Sequence, residues 1–413
     1  MIDSRVLLQS LFDVAVAAAS PASCMANWLP ERPDGPVVVV GAGKAAASMA
    51  LELEHSWGAP LEGTVIVPYG HTVACQYIDV IEASHPIPDQ SSVAATTALL
   101  DCVSSLDQEH TVVCLLSGGG SSLLTKPLPG VSLAEKQDIT RQLLRSGASI
   151  HEINAVRKKL SAVKGGKLAA QCAPAQVITL IISDVPGNDP AIVASGPTVT
   201  DTTPVADVLS ILSRYGIQPG EGTIEAMKRN SEENVTASAE DLRILATSDD
   251  ALQAAAARAM ELEMTPYLLG DLNGEACVLA TQHAQLAIDI AAGKGPLEAP
   301  CIILSGGETT VRVSGGGRGG RNGEYALALA IALDGHPSVS ALASDTDGTD
   351  GSGDNAGCFV FPDSLSRAAA QSIDARELQR DNDSYRFFEN LGDLLVTGPT
   401  RTNVNDFRAI IVR

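Results

Sequence analysis

Short apolar runs that alternate with helical stretches constrain the fold of this chain more than any other feature. Five β-branched runs in the first half are predicted to be strands: Val37–Val40, Thr64–Val67, Asp79–Glu82, Thr111–Leu116 and Gln176–Ile182. Most are continuously apolar, which is typical of parallel strands covered on both faces. The stretches between them are predicted to be helices: Ala45–Glu54, Gln90–Ser105, Leu133–Ser146 and Lys158–Gln171. This alternation predicts an α/β fold whose parallel sheet has right-handed crossovers.

A polar segment, Asn230–Glu240, separates this pattern from a second one. After it, a strand at Arg243–Thr247 and a helix at Asp249–Glu263 begin a new α/β alternation that continues to Ala409–Val412. We therefore expect two domains, 1–237 and 238–413. The length of 413 residues agrees with this division, because one domain usually spans roughly 100–200 residues.

Charge and composition exclude several classes of protein. The chain has 28 Lys and Arg against 49 Asp and Glu, a net charge of −21, which argues against a general nucleic-acid binder but not against a local phosphate site. The eight cysteines are dispersed without a CxxC pair, so we expect buried free thiols in a reducing compartment and no zinc site. The N-terminal stretch has helical periodicity without the features of a signal peptide, and no apolar run reaches about 18 residues. A cytoplasmic protein without a membrane segment is therefore expected.

A glycine turn follows the first predicted strand. Gly41, Gly43 and Ala46 fit the G-x-G-x-x-G/A pattern, in which a phosphate approaches a helix N-terminus. A dinucleotide site would need an acidic residue after the next strand, which ends in VPYGH instead. Lys44 inside the turn could hold or neutralise a phosphoryl group. The alternative, a plain strand–helix turn with an exposed lysine, is about equally well supported by this motif alone.

A second donor-rich loop, SGGGSS, follows the strand at Thr111–Leu116. Its backbone N–H groups and hydroxyls could converge on an anion, which we favour over a flexible turn. The residues concerned are Ser117, Gly118, Gly119, Gly120 and Ser121.

The segment ISDVPGNDPAIVASGPTV contains four further candidates: Asp184, Asp189, Ser195 and Gly196. Asp184 follows a strand, at the edge where open α/β sheets bind ligands. Taken alone, this segment is better explained by turn formation. His85, in SHPIPD, is interpreted as a turn residue ahead of a helix capped by Asp89.

Two features of the second half could also bind charged ligands. Arg321 opens a predicted helix, where its charge opposes the helix dipole, so an anionic ligand would explain its position. The loop ASDTDGTDGSGDNAG places Asp345, Asp347, Asp350 and Asp354 close together. Such carboxylates repel one another unless a cation lies among them, which favours Mg²⁺ over a solvated acidic loop.

Taken together, these motifs resemble the type II glycerate kinases, the glycerate 2-kinase family with a C-terminal MOFRL domain. The resemblance covers nearly the whole chain and rests on these segments: GAGKAA, SHPIPD, LLSGGGSSL, HEINAVRKKLSAVKGGKLA, SDVPGNDPAIVASGPT, LSGGETTV, GGRNGEYAL, SDTDGTDG and TGPTRTNVND. It implies transfer of a phosphoryl group from ATP to the 2-hydroxyl of D-glycerate, with Mg²⁺. It also implies a Rossmann-like N-terminal domain, a smaller α/β MOFRL domain, and an active-site cleft between them.

The resemblance also suggests roles for individual residues. Lys44 and Arg321 match the lysine and arginine of the family motifs and would act on the transferring phosphoryl group. Asp345, Asp347 and Asp350 are the leading Mg²⁺ ligands, with Asp184 or Asp189 in reserve, and Asp189 is the candidate base. Gly323 departs from the family, where a bulkier residue such as Gln is expected. The oligomeric state stays open, with a homodimer as one option.

Two alternatives to a kinase remain. Some relatives carry the name hydroxypyruvate reductase, an NAD(P)H-dependent activity, against which the missing ribose-binding acid argues. The other alternative is a sugar-acid binding protein without catalytic activity.

Overall fold

The computed structural model describes residues 3–58, 60–232 and 236–413. The chain divides into two compact units. We call Cys24–Leu245 the central unit, and Met1–Ser23 together with Ala246–Arg413 the terminal unit. Of the polar segment predicted to separate two domains, residues 233–235 lie outside the described residues.

The helices, in chain order, are α1 (Ser4–Ala18), α2 (Pro21–Cys24), α3 (Ala46–Trp57), α4 (Gln90–Cys102), α5 (Gly120–Leu123), α6 (Leu133–Ser146), α7 (Ile150–Lys159), α8 (Lys167–Cys172), α9 (Val205–Arg214), α10 (Glu221–Glu232), α11 (Ser248–Glu261), α12 (Ala276–Ala291), α13 (Arg321–Leu333), α14 (Ser364–Ala370), α15 (Ala375–Arg380) and α16 (Ser384–Leu391). Side-chain caps fix several of their starts. The Asp89 carboxylate accepts hydrogen bonds from the first turn of α4 in a capping box with Ser92, as the sequence predicts.

The central unit contains one six-stranded sheet, with strands β1 (Val37–Ala42), β2 (Glu62–Pro68), β3 (Asp79–Ala83), β4 (Thr111–Leu116), β5 (Gln176–Ile182) and β6 (Asp241–Ala246). The spatial order is β3-β2-β1-β4-β5-β6, and the pairs from β3 to β5 are parallel. This is the Rossmann-like order, which confirms the expected fold. Chain connections reverse direction between β1 and β4, so a crevice opens at the carboxyl ends of these two strands.

The prediction of a single helix at Lys158–Gln171 is wrong. Two helices, α7 and α8, occupy this region and are separated by Gly165 and Gly166. Both glycines are left-handed, with φ of +64° and +80°, a conformation that ends a helix and that other residues rarely adopt. The helix α7 begins earlier than predicted, because Ser149 and Glu152 form a capping box.

The terminal unit contains eight strands: β7 (Thr265–Asp271), β8 (Gly274–Glu275), β9 (Cys301–Gly306), β10 (Thr309–Thr310), β11 (Val339–Asp345), β12 (Gly357–Val360), β13 (Leu394–Leu395) and β14 (Asp406–Val412). Six of them form a mixed sheet in the order β13-β12-β11-β14-β9-β7. Only the β7–β9 pair in this sheet is parallel among the described residues. The α/β class expected for the second half is therefore confirmed, with a mixed sheet.

The division between the units differs from the boundary predicted after residue 237. Strand β6, assigned from the sequence to the second domain, is the edge strand of the central sheet. Helix α1, assigned to the first domain, belongs to the terminal unit. The reason is its apolar face: Leu8, Leu11 and Phe12 are buried, and the Phe12 ring packs edge-on against Phe407 of β14.

All eight cysteines are free thiols, and five of them are buried. Among the described residues, no single helix has the length and apolar composition to cross a membrane. One pair, Ser4–Ala18 with Pro21–Asn27, meets both criteria together but is bent by 57°.

Candidate active site

Two loops meet at the carboxyl ends of β1 and β4. The backbone N–H of Lys44 donates to the carbonyl of Gly118 over 2.9 Å, and the N–H of Ser117 donates to the carbonyl of Ala42 over 3.2 Å. The Ser117 hydroxyl accepts a hydrogen bond from the N–H of Ala45. The glycine turn and the SGGGSS loop, predicted separately from the sequence, therefore form one structure.

Close packing explains the glycine in this turn. Gly43 has a φ of +143°, and a Cβ atom there would lie 2.1 Å from Oγ of Ser117. Likewise, a Cβ atom at Gly41 would lie 2.3 Å from the carbonyl oxygen of Leu115. Both glycines are thus required by the contact between β1 and β4, whether or not a phosphate binds. Ser117 is fully buried and acts as the link between the loops.

Lys44 lies beside Gly119 and His85. A Cβ atom at Gly119 would lie 3.5 Å from Cγ of Lys44 and 3.0 Å from the His85 ring. The histidine, interpreted from the sequence as a turn residue, is therefore part of this site. Nothing in its local sequence distinguishes it from a turn residue, because its partners come from two other loops.

Ser121 and Ser195 link two candidate loops through their hydroxyls. The two oxygens are 2.8 Å apart, and the Ser195 hydroxyl also donates to Oδ1 of Asn154 on α7 over 3.1 Å. Ala194 and Ser195 both have positive φ, 50° and 63°. Strained backbone of this kind is concentrated at functional sites in proteins.

The two acidic candidates of this segment, Asp184 and Asp189, follow the carboxyl end of β5. Asp184 is partly buried, whereas Asp189 is exposed and its carboxylate accepts a hydrogen bond from the N–H of Ala191. Gly196 closes the turn with a φ of +59°, and a Cβ atom there would lie 2.9 Å from the carbonyl oxygen of Ala191. The structure thus places these residues at the expected edge of the sheet.

A cavity of about 320 Å³ opens beside Gly119 and Ser121. We call it the basic cavity, because four cationic side chains line it: Lys136, Arg141, Arg157 and Lys164. Burial and the neighbouring Arg157 and Lys167 lower the pKa of Lys136 to about 7. Burial also holds the pKa of Lys164 well below its usual value. None of these four residues was predicted to be functional. Arg157 and Lys164 lie in HEINAVRKKLSAVKGGKLA, whose concentration of basic residues is the one signal for them in the sequence.

In the terminal unit, Arg321 is bound by three carboxylates. Its guanidinium donates to Asp406, Asp345 and Glu308, each over 2.7 Å. Burial acts to lower the pKa of Arg321, but these carboxylates outweigh burial and raise it. An anionic ligand is therefore not needed to explain an arginine at this helix start. Glu308 and Asp406 were missed from the sequence, although they lie in the motifs LSGGETTV and TGPTRTNVND.

The three aspartates predicted to hold Mg²⁺ do not form a metal site. Asp350 is buried, and its carboxylate accepts hydrogen bonds from the N–H groups of Asn322 and Gly323, so it caps α13. Asp345 binds Arg321, and Asp347 accepts a hydrogen bond from the N–H of Thr349. No group of three His, Cys, Asp or Glu residues in the described part of the chain is arranged to hold a metal. The donor set therefore does not fit Mg²⁺ here.

Gly323, the departure from the family motif, lies in the first turn of α13. A Cβ atom there would lie 2.8 Å from Oγ of Ser384 and 3.3 Å from the Asp350 carboxylate. The small residue is thus matched to the close approach of α16 and of the capping carboxylate.

Comparison with known proteins agrees with these features. A domain of unknown function (DUF4147) matches residues 7–228, and the MOFRL family matches residues 301–406. A putative hydroxypyruvate reductase of Agrobacterium vitis is 47% identical over 100% of this chain and 95% of its own length. The D-glycerate 2-kinase of Thermotoga maritima is 38% identical over 95% of this chain and 94% of its own length. The crystal structure of a glycerate kinase from Thermotoga maritima matches with a TM-score of 0.89 and 36% identity, covering 98% of this chain and 99% of that one. The chain therefore belongs to the family of type II glycerate kinases with a C-terminal MOFRL domain.

Proposed function

We propose that this protein is a glycerate 2-kinase, which transfers the γ-phosphoryl group of ATP to the 2-hydroxyl of D-glycerate. The observation that carries the proposal is the position of Lys44. It lies in the turn after β1, next to Gly119 of the loop after β4. This is the place in a Rossmann-like sheet where ligands bind. The kinase names of full-length relatives support the same reaction.

The proposed chemistry is positioning combined with charge neutralisation. Phosphoryl transfer spreads negative charge over the oxygens of the moving group, and fixed cations stabilise that charge. Lys44 would supply one such cation, while the rigid backbone of the two loops would fix the approach of the phosphate. We assign Asp189 as the residue that accepts the proton of the 2-hydroxyl, since its carboxylate is exposed beyond β5.

Activity is expected to require Mg²⁺, although the aspartate set of the terminal unit does not fit it. Mg²⁺ commonly keeps several waters and binds mainly to the substrate's phosphates. If Mg²⁺ enters as a complex with ATP, activity can require Mg²⁺ even though the three aspartates do not bind it. A cytoplasmic location and a homodimer stay predictions.

A hydroxypyruvate reductase is the second candidate, because two relatives from Agrobacterium vitis carry that name. A dinucleotide site of this fold places an acidic residue at the carboxyl end of the second strand to bind a ribose. In this chain β2 ends at Pro68, followed by Tyr69, Gly70 and His71. The local structure therefore favours the kinase.

One assay distinguishes these candidates. Purified protein is incubated with D-glycerate, ATP and Mg²⁺, and the product is identified by ³¹P and ¹H NMR as the 2- or 3-phosphate. A parallel reaction contains hydroxypyruvate with NADH or NADPH. We expect 2-phosphoglycerate and no oxidation of the reduced cofactor. Cofactor oxidation without ATP turnover would support the reductase, and binding of D-glycerate with neither reaction would indicate a binding protein.

A further inference from the structure

The basic cavity of the central unit is lined by more Lys and Arg side chains than a single carboxylate ligand would contact. Of the described residues that line it, four are Lys or Arg and none is Asp or Glu. The whole chain has a net charge of −21, so a lining without acidic residues is not a consequence of composition. Such a lining favours a ligand with several negative charges.

Lys136 is the most informative residue of this lining. It is 4% exposed, and its Nζ has no hydrogen-bond partner among the described residues. A buried ammonium group without a partner is destabilising, and part of the population loses its proton instead. An anion in the cavity would supply the missing partner and restore the charge.

The surroundings of Lys136 offer no internal anion to do this. The charged groups around it are Arg157 on α7, Lys164 and Lys167 on either side of the glycine break, and Arg141 further along α6. Arg141 is paired with Asp138, which is exposed on the same helix. Lys164 donates to the carbonyls of Ser121 and Leu124, so it supports the loop. The described residues give Arg157 and Lys136 no ion pair with a carboxylate, and His85 is the remaining titratable group of the lining.

The cavity also has an apolar rim and lies near Lys44. Ile87 and Leu144 line its mouth and are 63% and 59% exposed. Gly119 lines the cavity as well and lies beside Lys44. A ligand with a flat apolar part and a chain of anionic groups would match this arrangement, and about 320 Å³ lies within the usual range of roughly 300–1,000 Å³ for small-molecule sites.

We propose that the basic cavity binds the nucleoside triphosphate. The phosphate chain would lie along Lys136 and Arg157 and reach Lys44 past Gly119, while the base would pack against Ile87 and Leu144. This assignment rests on the proposed function, from which it takes ATP as the phosphoryl donor.

The test is isothermal titration calorimetry with the non-hydrolysable analogue AMP-PNP and with inorganic tripolyphosphate, both with Mg²⁺, at pH 8. Wild type is compared with Lys136→Met, Arg157→Met and Leu144→Ser, and with Lys228→Met as the control on an exposed face of α10. Because a charge-assisted hydrogen bond is lost, Lys136→Met and Arg157→Met should each weaken both ligands roughly ten- to hundredfold. Leu144→Ser should weaken AMP-PNP and leave tripolyphosphate unchanged.

A second readout is the number of protons taken up on binding, measured in buffers of different ionisation enthalpy. Lys136 is largely neutral at pH 8, since its pKa is about 7, so binding of a polyanion should draw a proton to it. Lys136→Met should reduce this uptake. The variant should melt at or above the wild-type temperature, because it removes an unpartnered buried amine. Arg157→Met provides the affinity test should that variant not fold.

Unchanged AMP-PNP affinity in both Lys136→Met and Arg157→Met would overturn the proposal. D-glycerate is titrated into the same variants, and a loss of D-glycerate affinity with AMP-PNP affinity retained would also overturn it. These results are distinct from failure of the proposed function. A wild-type protein that phosphorylates D-glycerate while its cavity variants bind AMP-PNP normally would refute the cavity assignment alone.

Discussion

Lys44 and Arg321, both predicted to act on the phosphoryl group, have different surroundings. Lys44 lies on a glycine turn beside Gly119 and His85. Arg321 donates to three carboxylates, two of which, on Asp345 and Asp406, are almost completely buried. Arg321 therefore holds part of the terminal unit together.

Replacing Lys44 by alanine is expected to lower kcat by roughly 10³-fold, because a cation aimed at the moving phosphoryl group acts mainly in the transition state. The melting temperature should change little. Steady-state kinetics and differential scanning calorimetry measure the two effects, with Lys228→Ala as the control for loss of a lysine charge. A near-normal kcat would remove Lys44 from the site.

Replacing Arg321 by alanine should reduce stability as well as activity. The variant would remove the Arg321 guanidinium from the buried Asp345 and Asp406 carboxylates, although Asp406 keeps its ion pair with Arg408. Breaking such a buried pair costs about 3 kcal/mol or more. Arg321→Lys should recover only part of the lost stability. The planar guanidinium of arginine donates to all three carboxylates at once, whereas the compact ammonium group of lysine cannot. Urea unfolding measures both variants. An unchanged unfolding free energy in Arg321→Ala would contradict this structural role.

At the scale of elements, the start of α13 depends on the buried carboxylate of Asp350. Burial raises its pKa to about 6 despite the lowering effect of its hydrogen bonds from Asn322 and Gly323. An unfolded aspartic acid titrates near pH 4, so the folded state holds this proton more tightly. Stability from this group is therefore greatest at low pH and is lost as the pH rises from about 4 to about 6.

The unfolding free energy of wild type minus that of Asp350→Asn should consequently fall by about 1 kcal/mol between pH 5 and pH 7, part of about 3 kcal/mol over the full titration. Urea unfolding at several pH values measures the difference. Asp354→Asn is the control, because a hydrogen bond from Tyr385 lowers the pKa of Asp354, and its contribution to stability should therefore not change between pH 5 and pH 7. The Mg²⁺ requirement of Asp350→Asn should match that of wild type; a raised requirement would return Asp350 to the metal site.

The break between α7 and α8 gives a second prediction for an element. Gly166→Ala would place a Cβ atom 2.5 Å from the carbonyl oxygen of Ala237, at a φ of +80°. Gly130→Ala shares a left-handed φ of +91° but has no atom within 4 Å of the added carbon. The control should lose about 1 kcal/mol from the backbone alone, and Gly166→Ala more. Equal losses would mean that the contact relaxes.

Helices and strands were predicted correctly from the sequence where the residues that determine them lie within the same segment. Strands β4 and β5 and helix α6 match their predicted bounds, because apolar runs and caps lie within each segment. The two-residue strand β13 and the helices α14–α16 were missed, since short elements depend on partners far along the chain. The same holds for the site. The glycine loops can be recognised in the sequence. The proximity of Lys136 to Arg157 and the ion pair between Arg321 and Asp406 depend on tertiary contacts, which the sequence does not show.

At the scale of the whole molecule, α1 contributes to the core of the terminal unit. Phe12 is 1% exposed and packs on Phe407 with ring centroids 6.2 Å apart. Phe12→Ala should lower the unfolding free energy by about 3–5 kcal/mol, measured by urea unfolding of the full chain. Val6→Ala is the control, because Val6 lies on the same helix and is 61% exposed. Similar effects of both substitutions would show that α1 is only loosely attached.

The packing of α1 against β14 also has a consequence for synthesis on the ribosome. Helix α1 is synthesised before the central unit and β14 after it, so their contact cannot form until β14 has left the ribosome. At a translation rate of about 5–20 residues per second, the apolar face of α1 would stay exposed for roughly 20–80 s before β14 is synthesised. The central unit, by contrast, is encoded as one continuous stretch and can fold during that interval. We therefore expect a nascent chain in which the central unit is folded while the apolar face of α1 is still exposed. A chaperone would bind this form of the chain.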